Sequence, residues 1–142
     1  MQADHLIGSS FTILRLFDPL SLMTEKEKFI REFNHAFSIG DTDYLSANVT
    51  EDVVWNMVGD EILSGKTAFL NKIREMGENI DLEIEVQRII SHGIDVALEG
   101  TMAFNFHKGK RQNFSFCDIY KFSGFKNPKI KNINSYIIET KE

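Results

Sequence analysis

Cysteine is nearly absent: Cys117 is the one thiol in 142 residues. A single thiol excludes an intramolecular disulfide, so nothing in the chain asks for an oxidising compartment. No histidine stands at a spacing that would pair with it, and Cys117 reads as a packing residue. Basic charge is also scarce, with 16 Lys and Arg against 21 Asp and Glu. The resulting formal charge of −5 argues against a nucleic-acid partner. The one basic run, Lys108, Lys110 and Arg111, is better explained as a solvated hairpin tip. The four histidines (His5, His35, His92 and His107) lack the close spacings of metal ligands, so neither a metal nor another cofactor is expected. Long apolar runs are missing as well. Residues 1–22 contain an apolar stretch, but Asp4, Arg15 and Asp18 interrupt it and no basic segment precedes it. That pattern fits neither a signal peptide nor a membrane span, and the chain reads as cytoplasmic with no membrane partner. The sequons Asn48-Val49-Thr50 and Asn113-Phe114-Ser115 then carry no weight.

Two catalytic signatures are missing too. There is no Gly-x-Ser-x-Gly, so serine-type nucleophilic catalysis has no support. Gly59 and Gly65-Lys66-Thr67 imitate a phosphate loop, but five residues separate the glycines where that loop needs four. The spacing decides whether consecutive backbone N–H groups converge on phosphate.

What is present is an ordinary globular composition with an aromatic bias. Twelve Phe stand against three Tyr and one Trp, an excess of wholly apolar rings that suits a greasy core or pocket. The length is that of one domain. Residues 1–23 look unlike the rest and form an N-terminal extension, with the domain proper at 24–142. Thr24 and Glu27 make a capping box for a helix whose apolar stripe is Phe29, Ile30, Phe33, Ala36 and Phe37. Gly40 ends that helix, and Asp41 caps a short second one through Tyr44-Leu45. His35 lies off the stripe and faces solvent. A short strand over 53–58 ends at Gly59; Asp60 and Glu61 belong to a solvated loop after it. Ser64-Gly65 precedes a third helix, marked by Phe69, Leu70, Ile73 and Met76. Strands follow over 82–91, 94–107, 112–123 and 129–139. Helices first and antiparallel strands afterwards predict an α+β fold.

Within the third of those strands, Phe114, Phe116, Asp118, Tyr120 and Phe122 alternate with Ser115, Cys117, Ile119 and Lys121. The aromatic face is the one that demands burial, and Asp118 sits in its middle. A buried carboxylate must find donors, or its pKa rises until it holds a proton. A carboxylic acid kept neutral in this way becomes a hydrogen-bond donor; the bland alternative is an edge-strand Asp turned to solvent or bonded to a neighbouring backbone N–H.

The order of pieces resembles the nuclear-transport-factor-2-like superfamily. The matching pieces are an amphipathic helix ending in Gly40-Asp41, a short helix, Glu51-Asp52-Val53-Val54-Trp55, Ser64-Gly65-Lys66 opening a helix, and Cys117-Asp118-Ile119-Tyr120-Lys121-Phe122. Within it, the chain is most similar to the SnoaL-like branch of polyketide-cyclase and ketosteroid-isomerase relatives. The resemblance implies a cone-shaped, cystatin-like roll, with N-terminal helices packed on a curved, mostly antiparallel sheet around one deep pocket. It also implies a homodimer and a small hydrophobic ligand.

Carried over residue by residue, the isomerase general base falls on Asn56, which has no useful basicity. The phenol donor falls on Phe33, which has none to give. The protonated-acid donor, a carboxylic acid held neutral by an apolar site, falls on Asp118. The cyclase branch needs a single pocket Asp for acid/base work, again at Asp118, with Asn56 orienting a carbonyl by its amide. The Asp-Arg-Asp set of the epoxide-hydrolase relatives has no counterpart. The implied pocket neighbours are Phe33, Trp55, Phe114, Phe116 and Tyr120, with Ile133, Ser135 and Ile137 from the last strand. Isomerisation, cyclisation or dehydration of a hydrophobic carbonyl compound is the implied reaction class; a non-catalytic binding or dimerisation module is the rival. Register across the 107–112 hairpin stays open. A two-residue turn at Gly109-Lys110 sets Asp118 on the side of Thr101, Ala103 and Asn105; a three-residue loop sets it opposite Gly100, with Met102 and Phe104 on its face.

Overall fold

Helix α1 (Glu25–Ile39) begins and ends where its terminal backbone groups find partners. The Thr24 hydroxyl accepts from the Glu27 amide at 3.2 Å, and Gly40 closes the helix in the left-handed region at φ 70°. The amides of Gly40 and Asp41 reach back to the carbonyls of Phe37 and Ala36, the pattern that stops a helix sharply. Asp41 then caps α2 (Thr42–Asn48) by accepting from the Tyr44 amide at 3.1 Å. The remaining elements are β1 (Val49–Met57), β2 (Ile62–Ser64), α3 (Lys66–Asn79), β3 (Ile80–His92), β4 (Asp95–Phe106), β5 (Arg111–Phe122) and β6 (Ile130–Thr140). This computed structural model describes residues 23–141; the expected N-terminal extension, but for Met23, lies outside the described residues. None of the helices described is long and apolar enough to cross a membrane.

Six strands form one sheet in the order β2-β1-β6-β5-β4-β3. β1 and β6 run parallel, and the other neighbouring pairs are antiparallel. The helices lie against one face, so the expected α+β arrangement is the one observed. The later strands fall within two residues of the expected bounds, and the larger differences lie earlier in the chain. β1 begins at Val49 rather than 53, and β2 was not anticipated. At three residues, β2 is too short to show an alternation that pattern reading can detect.

The core forms where Ile30 and Phe33 of α1 and Phe69 and Ile73 of α3 meet Val96, Leu98, Phe116, Tyr120, Phe122 and Ile133 of the sheet. The rings interlock edge to face: Phe33 meets Tyr120 at 6.0 Å, and Trp55 meets Phe69 at 5.6 Å and Phe37 at 5.5 Å.

The β4–β5 hairpin follows neither of the two expected registers. Its loop is His107-Lys108-Gly109, closed by the Phe106 amide donating to the Lys110 carbonyl at 2.8 Å. Gly109, at φ 90°, occupies the third loop position, where a three-residue hairpin needs a left-handed residue. Asp118 consequently pairs with Leu98, although Met102 and Phe104 do share its face as one of the two alternatives required.

One glycine in the sheet has a packing reason. β3 shifts register between Val86 and Arg88, beside Gly100 of β4. A Cβ on Gly100 would lie 2.2 Å from the Glu85 carbonyl oxygen and 3.0 Å from the Phe116 ring. Only a residue without a side chain lets the bulged strand cross so closely, and such bulges bend a sheet. Gly100→Ala should therefore lower unfolding free energy by about 1–3 kcal/mol, the range for forced overpacking. Denaturant unfolding checks this; an unchanged midpoint would contradict the close-approach argument.

Candidate functional site

Asp118 stands on β5 between Leu98 of β4 and Ser135 of β6. Two hydroxyls serve its carboxyl. Tyr120, on the same strand face, donates to Oδ2 at 3.0 Å, and Ser135 donates from the neighbouring strand. Each hydroxyl is itself held by a group that can only donate. Asn34 Nδ2 donates to the Tyr120 oxygen at 3.1 Å and to the Ile30 carbonyl at 3.0 Å. Trp55 Nε1 donates to Ser135 Oγ at 2.9 Å. With those oxygens already accepting, both hydroxyl protons point to the carboxyl, and the chain is polarised toward Asp118 from both ends.

Burial pushes the Asp118 pKa from its ordinary 3.8 up to about 6, and the hydrogen bonds from Ser135 and Tyr120 work against that rise. Among the described residues Asp118 makes no salt bridge. The Tyr120 pKa is raised too: burial, and next the charge of Asp118, push it well above 10.0, so it stays a hydroxyl donor. Cys117, on the opposite face, is pushed up by burial and by Asp118, which keeps it an unreactive thiol.

The carboxyl opens onto a cavity of about 280 Å³ between the helices and the inner sheet face. Its wall is mostly apolar, from Phe33, Phe37, Met57, Met76, Ile84 and Met102 among others. Asp60 and Lys72 also line it, and Lys72 is tied to Glu61 by a 2.7 Å ion pair. That pairing is the first cause of the raised Lys72 pKa. Glu61 is therefore engaged rather than merely solvated, while Asp60, though exposed, reaches the cavity.

Of the residues expected in the pocket, Phe33, Trp55, Phe116, Tyr120, Ile133, Ser135 and Ile137 line the cavity together with Asp118. Asn56 and Phe114 are absent from it. Asn56 stands between Trp55 and Met57, which both line the cavity, so strand alternation sends its side chain to the other face. A carbonyl-orienting role for Asn56 has no geometry to rest on. Phe114 shares the face of Asp118 but pairs with Met102 further along β5, where its ring packs on Phe104 at 4.7 Å and lines a neighbouring hollow. The residue that sequence reasoning missed is Asn34, only 5% exposed. A signal existed: Ile30, Phe33 and Phe37 share the buried stripe of α1, and Asn34 lies within it. His35, read as solvent-facing, is exposed.

The profile of the SnoaL-like domain matches residues 30–132. An epoxide hydrolase of the LEH-like type from M. tuberculosis superposes with a TM-score of 0.68 at 23% identity, covering 77% of this chain and 79% of that one. An NTF2-like protein of unknown function from Cytophaga hutchinsonii gives 0.58 at 29% identity, covering 79% and 98%. A putative SnoaL-like polyketide cyclase from Shewanella denitrificans gives 0.75 at 12% identity, covering 82% and 92%. No curated protein matches the chain closely enough to count as a relative. Matches at 12% and 23% identity speak for the fold alone, whereas the domain profile spans most of the described residues. This chain belongs to the SnoaL-like domain family.

Proposed function

We propose that the cavity binds a small hydrophobic carbonyl compound and that Asp118 acts on it as a general base, taking a proton from the carbon beside the carbonyl. The observation that carries this reading is the direction of the hydrogen bonds. A carboxyl that accepts from Tyr120 and Ser135, each fixed by a further donor, is arranged for its ionised form. With a pKa of about 6 it is largely ionised at neutral pH, yet a stronger base than a solvated aspartate. This differs from the proton-holding donor role that the isomerase resemblance implied. Proton abstraction of this kind serves isomerisation, cyclisation by aldol closure, or dehydration.

The epoxide-hydrolase likeness does not extend to the chemistry. Among the described residues no arginine lines the cavity, so the Asp-Arg-Asp set of that group has no equivalent.

One observation favours the second reading, a binding module without turnover. The deep N–H donors are already engaged, Asn34 twice and Trp55 once, which leaves no deep N–H for a developing oxyanion. Exposed Ile90, Tyr136 and Ile138 on the outer sheet supply the apolar surface that a dimerisation role would use.

The readings separate by deuterium exchange at the α-carbon of a methyl ketone in D2O, followed by NMR. Under the first reading, Asp118→Asn slows exchange by roughly 10²–10⁴, the usual range for losing a general base, with the fold intact. An equal rate in the variant removes Asp118 from the chemistry, and no exchange above background in the unaltered protein leaves binding alone.

The same substitution has a stability consequence. Asp118 binds its proton more tightly folded (about 6) than it would unfolded (3.8). Its contribution to stability is therefore complete below 3.8 and lost as pH rises through 6. Asparagine does not titrate. Between about pH 4 and 7 the unaltered protein should lose on the order of 2–3 kcal/mol relative to Asp118→Asn. Urea unfolding of both proteins across that range measures the difference, and a pH-independent difference would mean that the carboxyl is solvated.

A further inference from the structure

Behind the main cavity lies a second space of about 230 Å³, between the C-terminal turns of α1 and α3 and the start of β3. Phe37, Met76 and Ile80 line both spaces, so the partition between them is one layer of side chains. Phe37 is held edge-on against Trp55 at 5.5 Å. Met76 is the adaptable member, an unbranched chain whose rotation opens a narrow passage at little cost. The rear space is walled by Ile39, Ile73 and Leu82, and its two polar side chains already have partners. The Ser38 hydroxyl donates to the His35 carbonyl at 2.7 Å, and Asp81 pairs with His107 at 3.2 Å. The other side chains of its wall are apolar, while exposed Ile39, Gly40, Gly77 and Asp81 leave the space open to solvent on one side. Gly77 stands on the open side: a Cβ placed there would meet nothing within 4 Å.

We infer that the ligand is an elongated aliphatic carbonyl compound, with its carbonyl end at Asp118 and its chain passing Met76 into the rear space. A rigid polycyclic compound would have to stop at the partition; a chain one methylene wide does not. The inference rests on the reading of the main cavity as a carbonyl-binding site and adds the shape of the occupant to it.

Trp55 is the single tryptophan and lines the main cavity, so its fluorescence reports occupancy directly. The probes are pentyl methyl ketone and nonyl methyl ketone, which differ by four methylenes. Each methylene moved fully from water to an apolar wall tightens binding roughly fourfold, and half-burial about twofold, so the longer ketone should bind the unaltered protein roughly 15-fold more tightly or better. Gly77→Leu fills the rear space from α3 while raising helix propensity, and Ser38→Leu fills it from α1. In either variant the ratio between the two ketones should fall below roughly 4-fold, whereas Gly77→Ala should keep most of it. A ratio unchanged in both leucine variants, or near unity in the unaltered protein, overturns the elongated ligand and leaves the main-cavity reading standing. If neither ketone alters Trp55 fluorescence, the carbonyl-binding reading falls and this inference falls with it.

Discussion

A carboxylate set among phenylalanines is unstable unless donors surround it, since moving an unpaired charge out of water costs several kcal/mol. In this chain two hydroxyls, from Tyr120 and Ser135, meet that need at Asp118. Much of the architecture is bound to that arrangement. The hydroxyls come from β5 and β6, and the groups that orient them come from α1 (Asn34) and β1 (Trp55). Elements from both ends of the described chain, α1 and β1 with β5 and β6, must therefore assemble before the carboxylate is satisfied, and the same assembly closes the aromatic core.

The polar chain also explains a division of labour within the cavity. Nearly every deep donor is turned inward to serve Asp118, which leaves the remaining wall to shape and apolar contact. Specificity in such a site comes from length and width rather than from paired hydrogen bonds. The bulge beside Gly100 and the partition at Met76 are, on this view, the features that set those dimensions.

The fold was legible in the sequence because its signals are local. Thr24, Gly40 and Asp41 mark helix ends through their own backbone bonding, and the alternation from Phe114 to Phe122 identifies a strand and its inner face. Asp118 stood out because that alternation placed a charge on the apolar side. Ser135, Ile133 and Ile137 were placed by resemblance alone. What stayed hidden depends on parity and register. Asn56 matched a catalytic position in spacing but lies one residue out of phase with the cavity face, and one residue in a strand reverses the side chain. The hairpin register turned on which loop position Gly109 takes, a backbone property that composition does not report. Asn34 was overlooked because an amide on an apolar stripe gains meaning only once Tyr120, 86 residues away, is known to stand opposite it.

The central claim is that Asp118 is an acceptor within a polarised chain, and its carboxyl can be followed directly. Carbon-13 NMR titration of the Asp118 carboxyl should give a midpoint near 6, well above the ordinary 3.8. A midpoint at the ordinary value would show a solvated carboxylate, and one above about 8 would show an acid that keeps its proton at neutral pH. Either result would contradict the account.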